Sequence, residues 1–333
     1  MINEIINAVQ ECTQQTSSKK CVLPYDFSKS IKSYRHQFLI MIKPECLNIK
    51  KGVDVGAILK KFFEMAEHFH IKVNAIYAMN GDYLKNNHIM EQQYRMLNLG
   101  ARHGISYMSQ KRQNEIIEKY SDTEILGAFE FLNRYSSINE ISLERASHKK
   151  GSDKLGNGSY LFVEEYDNKK FGIVNAFHPH QLSHFYKTNN VVITFDCSSN
   201  TGYNELSSDF VGFFNPKFAS KLSLRGYLYS NYKSLGLDHV GIFLNGFHIS
   251  PSPLEGMFAT LRYCVGENGQ AVTLSETRLG YELLSLNLNE IEILALQENP
   301  YINYEKNFDS LFSIAEDNNL DFVLKLLKFY LTQ

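Results

Sequence analysis

The chain of 333 residues contains no tryptophan, seven prolines and five cysteines. It has no apolar run approaching the ~20 residues that a membrane-crossing helix needs. Cys12, Cys21, Cys46, Cys197 and Cys264 are scattered without a C-x-x-C pair. That spacing argues against a disulfide framework or a structural zinc site and predicts free thiols in a reducing compartment. Neither sign of charge dominates: 34 Lys and Arg face 36 Asp and Glu, for a net charge of -2 and a pI near 6.6. Such a chain sets up no global field for nucleic acid or an anionic membrane, so neither is expected as a partner and any polyanion must meet a local site. The first residues, Met1-Ile-Asn-Glu, lack the basic start of a secretory signal, and the expected location is the cytoplasm. Internal repeats and low-complexity segments are also missing.

What is present is the composition of a folded protein, 44% hydrophobic and 21% charged, large enough for one elaborated domain or two small ones. Ile5, Ile6 and Val9 recur at helical spacing ahead of the polar stretch 13–20. His36 to Lys43 reads as a buried strand. Val55, Ile58, Leu59, Phe62, Phe63 and Ala66 then mark one face of a helix, and Ile71 to Met79 returns as a strand, which opens a crossover unit. Helices are expected over 81–100 and 110–135, an exposed loop over 147–158, and a hairpin from 160–166 and 171–177. Further strands are expected at 191–196 and 240–244. A helix follows from Pro253, started by a Ser252 cap with Glu255 closing a capping box, and a last helix runs near 319–331.

Chemistry concentrates in three segments. Phe38-Leu-Ile-Met-Ile-Lys43-Pro44 ends a strand in a cation. Asn215-Pro216 runs on through Ser220 and Ser223 to Arg225-Gly226, and Asn245-Gly-Phe-His248-Ile-Ser250 puts an imidazole at a strand end. A neutral imidazole is a good phosphoryl acceptor, and phosphoryl transfer rewards pre-placed cations because its transition state spreads charge over three oxygens. In this order the segments resemble the nucleoside diphosphate kinase family.

That resemblance implies an α/β (α+β) fold: a ferredoxin-like four-stranded antiparallel sheet with helices on one face. It divides the chain into an N-terminal helical extension 1–35, a core of 36–99 and 176–285, an insertion 100–175 and a C-terminal helical extension 286–333. It further implies a Mg²⁺-bound nucleoside triphosphate as substrate, with His248 as the phosphorylated residue. Lys43 would neutralise the transferred group, Arg225 hold the nucleotide phosphates, and Asn245 bond the sugar. Ser250 would stand beside the histidine, and His88 at the position of a family tyrosine near the phosphate. The acceptor is open, and the family's assembly through its Asn-Pro loop makes a homo-oligomer an expectation.

Departures from the family pattern keep other readings in view. The family's phosphate-binding threonine and loop arginine fall on Phe214 and Ser208, and its imidazole-orienting glutamate falls on Ala259 or Thr260, with Glu255 the nearest carboxylate. A specialised phosphoryl or nucleotidyl transferase, or a non-catalytic nucleotide-binding protein of the same fold, therefore stands beside the kinase reading. His178, His180 and His184 lie close in sequence, but their spacing matches no closed metal set, and structural roles are expected. Asp196 has no carboxylate partner at a recognisable spacing.

Overall fold

The structure, a computed structural model, describes residues 1–27, 33–156 and 158–332. Part of the 1–35 extension and Asn157 of the Gly156–Ser159 stretch lie outside these. In chain order the strands are β1 (Lys19–Leu23), β2 (His36–Ile42), β3 (Lys72–Asn80), β4 (Glu124–Gly127), β5 (Asp153–Gly156), β6 (Ser159–Tyr166), β7 (Lys169–Val174), β8 (Val191–Ser199) and β9 (Phe247–Ile249), followed by a small hairpin, β10 (Tyr301–Tyr304) and β11 (Asn307–Ser310). The main sheet has the order β1-β3-β8-β2-β9 and is antiparallel throughout. The class is thus mixed α and β, as expected, but this sheet has five strands instead of four. The added strand comes from the N-terminal segment, where Lys19 to Leu23 pairs with β3.

The central strands β2 and β8 are buried at every position, so this sheet is covered on both faces and not on one. Alternation of side chains sorts them. Phe38, Ile40, Ile42, Ile193, Phe195 and Cys197 face the core shared with the helices Ile2–Gln14 (α1) and Val55–His68 (α2), where Phe62 lies 4.3 Å from Phe195 between ring centroids. Leu39, Met41, Tyr77, Met79 and Val192 face the second core. On that same face the buried Asp196 carboxylate accepts hydrogen bonds from Gln37, Asn74 and Thr260, which satisfy a group that burial alone would penalise.

Asp54 starts α2 by accepting from the Ala57 amide at 2.9 Å. The helix expected over 81–100 is broken instead into Gly81–Asn86, Ile89–Gln93 and Arg95–His103 (α3). His88 stands at the first break in the left-handed region, φ 52°. The run Val240 to Leu244, expected as the fourth strand, is a half-exposed loop, and pairing with β2 begins only at Phe247.

Segment 100–175 builds its own four-stranded sheet, β4-β7-β6-β5, around Phe131, Phe162, Phe171 and Ile173. The hairpin is present, shortened to a two-residue turn at Asp167 and Asn168, both at positive φ, which suits the twist of the flanking strands. The helix expected over 110–135 is interrupted by β4, which pairs in parallel with β7. The expected loop 147–158 is instead the end of helix Glu140–Lys150 and β5. Later come the helices His178–Tyr186 (α4), Leu224–Asn231 (α5), Pro253–Tyr263 (α6) and Leu320–Leu331 (α7). α7 packs Leu320, Val323, Leu326 and Leu327 into a core that includes Leu254 and Met257 of α6. Among the described residues no helix is long and apolar enough to cross a membrane.

Candidate functional site

The β2/β9 pairing sets the site. Met41 stands opposite His248, and the ladder runs one step past β2 through the Lys43 amide, which donates to the Gly246 carbonyl at 2.8 Å. The Lys43 side chain is 7% exposed, and its ammonium donates to Asn245 Oδ1 at 2.7 Å. Asn245 in turn donates through Nδ2 to the Phe214 carbonyl at 3.1 Å. Gly246, at φ 76°, turns the chain where a Cβ would strike Leu228.

Glu45 holds the other side of that turn. One carboxylate oxygen accepts from the Gly246 amide at 2.9 Å and the other meets His184 Nε2 at 3.1 Å. Burial opposes its ionisation, but the His184 hydrogen bond and charge, with Lys43, outweigh burial and hold its pKa below the usual range. Arg225, on α5, donates to the Gly212 carbonyl at 2.7 Å and the Phe247 carbonyl at 2.8 Å, which ties the loop after β8 to β9. Burial lowers Lys43 to about 8, with Glu45 opposing and Arg225 assisting, and lowers Arg225 to about 10.

His248 projects from the middle of β9 and not from a turn beyond a strand. Burial, then the charges of Lys43, Arg225 and Arg262, push its pKa down to about 3, so the ring is neutral at ordinary pH. Among the described residues its hydrogen-bond partner is Gln93, whose Nε2 lies 3.0 Å from His248 Nε2. Gln93 Oε1 accepts from Arg262 Nη1 at 3.0 Å. Arginine has no acceptor atom, so it fixes the amide's orientation: the NH₂ faces His248, Nε2 of the ring accepts, and the ring proton belongs on Nδ1. The Tyr94 ring meets the imidazole edge to face at 5.5 Å.

The segments the sequence singled out therefore meet: Lys43 bonds Asn245, Arg225 bonds the backbone of Phe247, and both cations act on His248. Two candidates do not join them. His88 is a 75% exposed side chain 3.4 Å from Glu91, and Tyr94, six positions on, is the aromatic at the histidine. Ser250 is buried, its Oγ accepting from the Leu39 amide at 3.1 Å, where it serves the β2 edge. Glu255 shares a cavity with His248, but its carboxyl accepts from Ser252, the N-cap of α6, at 3.2 Å; burial and Glu316 raise its pKa to about 8. The polar group on the imidazole is thus an amide and not a carboxylate.

His178, His180 and His184 go to separate partners, Gln181, Glu144 and Glu45. No group of three or more candidate metal ligands occurs among the described residues. Sequence reasoning missed Gln93, Tyr94, Arg262 and Glu45. Glu45 alone carried a signal, standing two residues after Lys43 in the motif. Comparison with protein-family models and with curated proteins found no match for the chain.

Proposed function

We propose that the protein is a nucleotide-dependent phosphotransferase of the nucleoside diphosphate kinase type, acting through His248 on a Mg²⁺-bound nucleoside triphosphate. The observation that carries this reading is the convergence of Lys43, Asn245 and Arg225 on the strand that bears a neutral imidazole. Support also comes from the antiparallel order β3-β8-β2-β9, with α2 between the first two of these strands in the chain and α5 between the last two, which is the ferredoxin-like arrangement the resemblance implies.

In the proposed reaction an unprotonated ring nitrogen attacks the terminal phosphorus. The N–P bond forms as the bond to the bridging oxygen breaks, and that electron pair leaves on the nucleoside diphosphate. An acceptor oxygen then attacks phosphorus and the pair of the N–P bond returns to the ring. Lys43 and Arg225 offset charge on the transferred group, and Mg²⁺ enters on the nucleotide's own phosphate oxygens.

Two observations favour the non-catalytic alternative: the Arg225 guanidinium is already bonded to two carbonyls, and Gln93 occupies the nucleophilic nitrogen. Incubation with γ- and α-labelled ATP decides between the readings. Retained γ-label lost in His248→Ala supports phosphotransfer, α-label supports nucleotidyl transfer, and neither leaves binding alone.

A further inference from the structure

A cavity of about 150 Å³ lies on the side of His248 formed by residues 92–97, α6 and the C-terminal segment. Its apolar wall is Met96, Leu97, Phe258 and Phe312, and its polar wall is Gln93, Arg95, Arg262 and His248. Three lining residues carry a buried polar atom with no hydrogen-bond partner among the described residues: Tyr94 Oη, Arg95 Nε and Arg262 Nε. Each of these atoms can donate, and buried donors are ordinarily satisfied, so three unpaired donors on residues that line one cavity require an explanation.

The charge of Arg262 has no carboxylate bonded to it among the described residues. Arg262 spends Nη1 on Gln93, a neutral group, and Arg95 has Glu298 only at its outer nitrogen, 2.5 Å away. Glu255, the carboxyl that shares the cavity, bonds Ser252 instead of either guanidinium. Its raised pKa keeps it largely protonated near neutrality, so it is no counter-ion. A largely buried guanidinium without its anion is costly, and Arg262 beside an apolar wall, with Arg95 nearby, describes a ligand with an acid at one end and an apolar body at the other.

We infer that this cavity binds a small molecule carrying one carboxylate or phosphate group, held by Arg262 and Arg95, with a short apolar body against Phe258 and Phe312. The assignment rests on the cavity and its unpartnered donors and stands independently of phosphotransfer. The bound molecule lies against His248 and Gln93, so it reports on the same imidazole.

The test is titration of the full-length protein with benzoate and phenyl phosphate, with benzamide as the neutral counterpart, by calorimetry and ligand-observed NMR. Binding of either anion without benzamide is expected, and the tighter of the two names the acid. Arg262→Gln should weaken that binding roughly tenfold to hundredfold, the worth of a charge-assisted hydrogen bond. Arg95→Gln, a more exposed position, provides a second variant if the first fails to fold, and Arg262→Lys should retain part of the affinity. Equal affinity for benzamide, no anion binding at millimolar concentration, or wild-type affinity in folded Arg262→Gln and Arg95→Gln would overturn the assignment. Because the readout is binding, absent label transfer from ATP would remove the phosphotransfer reading and leave this one intact.

Discussion

Gln93 Nε2 sits 3.0 Å from His248 Nε2, and Arg262 holds the far end of the same amide. A residue 155 positions away in sequence thereby selects the tautomer of the imidazole. The relationship has two consequences: the ring's lone pair is defined, and it is occupied, so phosphorus reaches Nε2 only as the amide withdraws.

The first prediction is spectroscopic. Long-range ¹H–¹⁵N spectra of the imidazoles should show His248 as the neutral Nδ1–H form, still untitrated well below pH 6.5, in line with its pKa of about 3. Gln93→Ala should leave the ring neutral but mix the tautomers, since burial and the neighbouring cations remain while the donor is gone. A His248 that titrates near 6.5 would contradict the burial argument.

The second concerns Lys43. Asn245→Ala removes the acceptor of a buried ammonium, and an unsatisfied charged donor costs about 1–3 kcal/mol or more. The Lys43 pKa should fall further below about 8, because the hydrogen bond to Oδ1 favours the charged form. Asn245→Asp should move it the other way. Urea denaturation and ¹³C NMR of reductively methylated lysines check the two effects, and an unmoved Lys43 resonance in both variants would refute the coupling.

Much of this arrangement was legible because it is local. Strand 36–42 and helix 55–68 announce themselves by periodicity, and Ser252-Pro253 starts α6 with the expected serine cap, although the Glu255 carboxyl meets the Ser252 hydroxyl and not its amide, so the expected capping box is not closed. The fourth strand was misplaced because Val240 to Leu244 is as apolar as a strand, while the partner edge of β2 accepts only three residues, Phe247 to Ile249. The fifth strand and the second sheet depend on pairings between remote segments, Lys19 with Met79 and Glu124 with Phe171, which no local pattern encodes. Gln93, Tyr94 and Arg262 were invisible for the same reason. Their role exists only once the broken helical segment lies against β9, and the break depends on His88 adopting positive φ, which a regular apolar spacing conceals.

Ser250 supplies the third prediction. Its hydroxyl accepts from the Leu39 amide while its own amide donates to the Leu39 carbonyl at 3.0 Å, so it closes the β2 edge beyond β9. Ser250→Ala should cost on the order of 1–2 kcal/mol in stability and leave nucleotide affinity at the wild-type value. A selective loss of nucleotide binding, with unchanged denaturation midpoint, would return Ser250 to the site.

The last prediction is the shape of the stability–pH curve. His36 and His178 are 0% exposed, and burial drives both to a pKa of about 4; His248 falls to about 3. In the unfolded chain all three titrate near 6.5. Below that pH the unfolded state binds more protons, so these histidines withdraw stability as pH falls from about 6.5 towards 4. Asp196, raised by burial to about 6, and Glu255, raised to about 8, have the opposite sign: the folded state keeps their protons, and stability falls as pH rises to those values. Below 6.5 the three histidines oppose the two carboxyls. From 6.5 upward the unfolded histidines lose their remaining protons while Glu255 begins to ionise, so the maximum should be shallow and lie between about pH 6.5 and 7, with Glu255 dominating above it. The net decline from there to pH 8 should be on the order of 1 kcal/mol or less, because the histidines offset part of the Glu255 contribution. Glu255→Gln keeps an acceptor for Ser252 but cannot ionise, so urea midpoints across pH 5–9 should show its alkaline side flattened. An alkaline decline of wild-type steepness in Glu255→Gln would mean that the Glu255 carboxyl is ionised in the folded protein, and the cavity beside His248 would then already hold its anion.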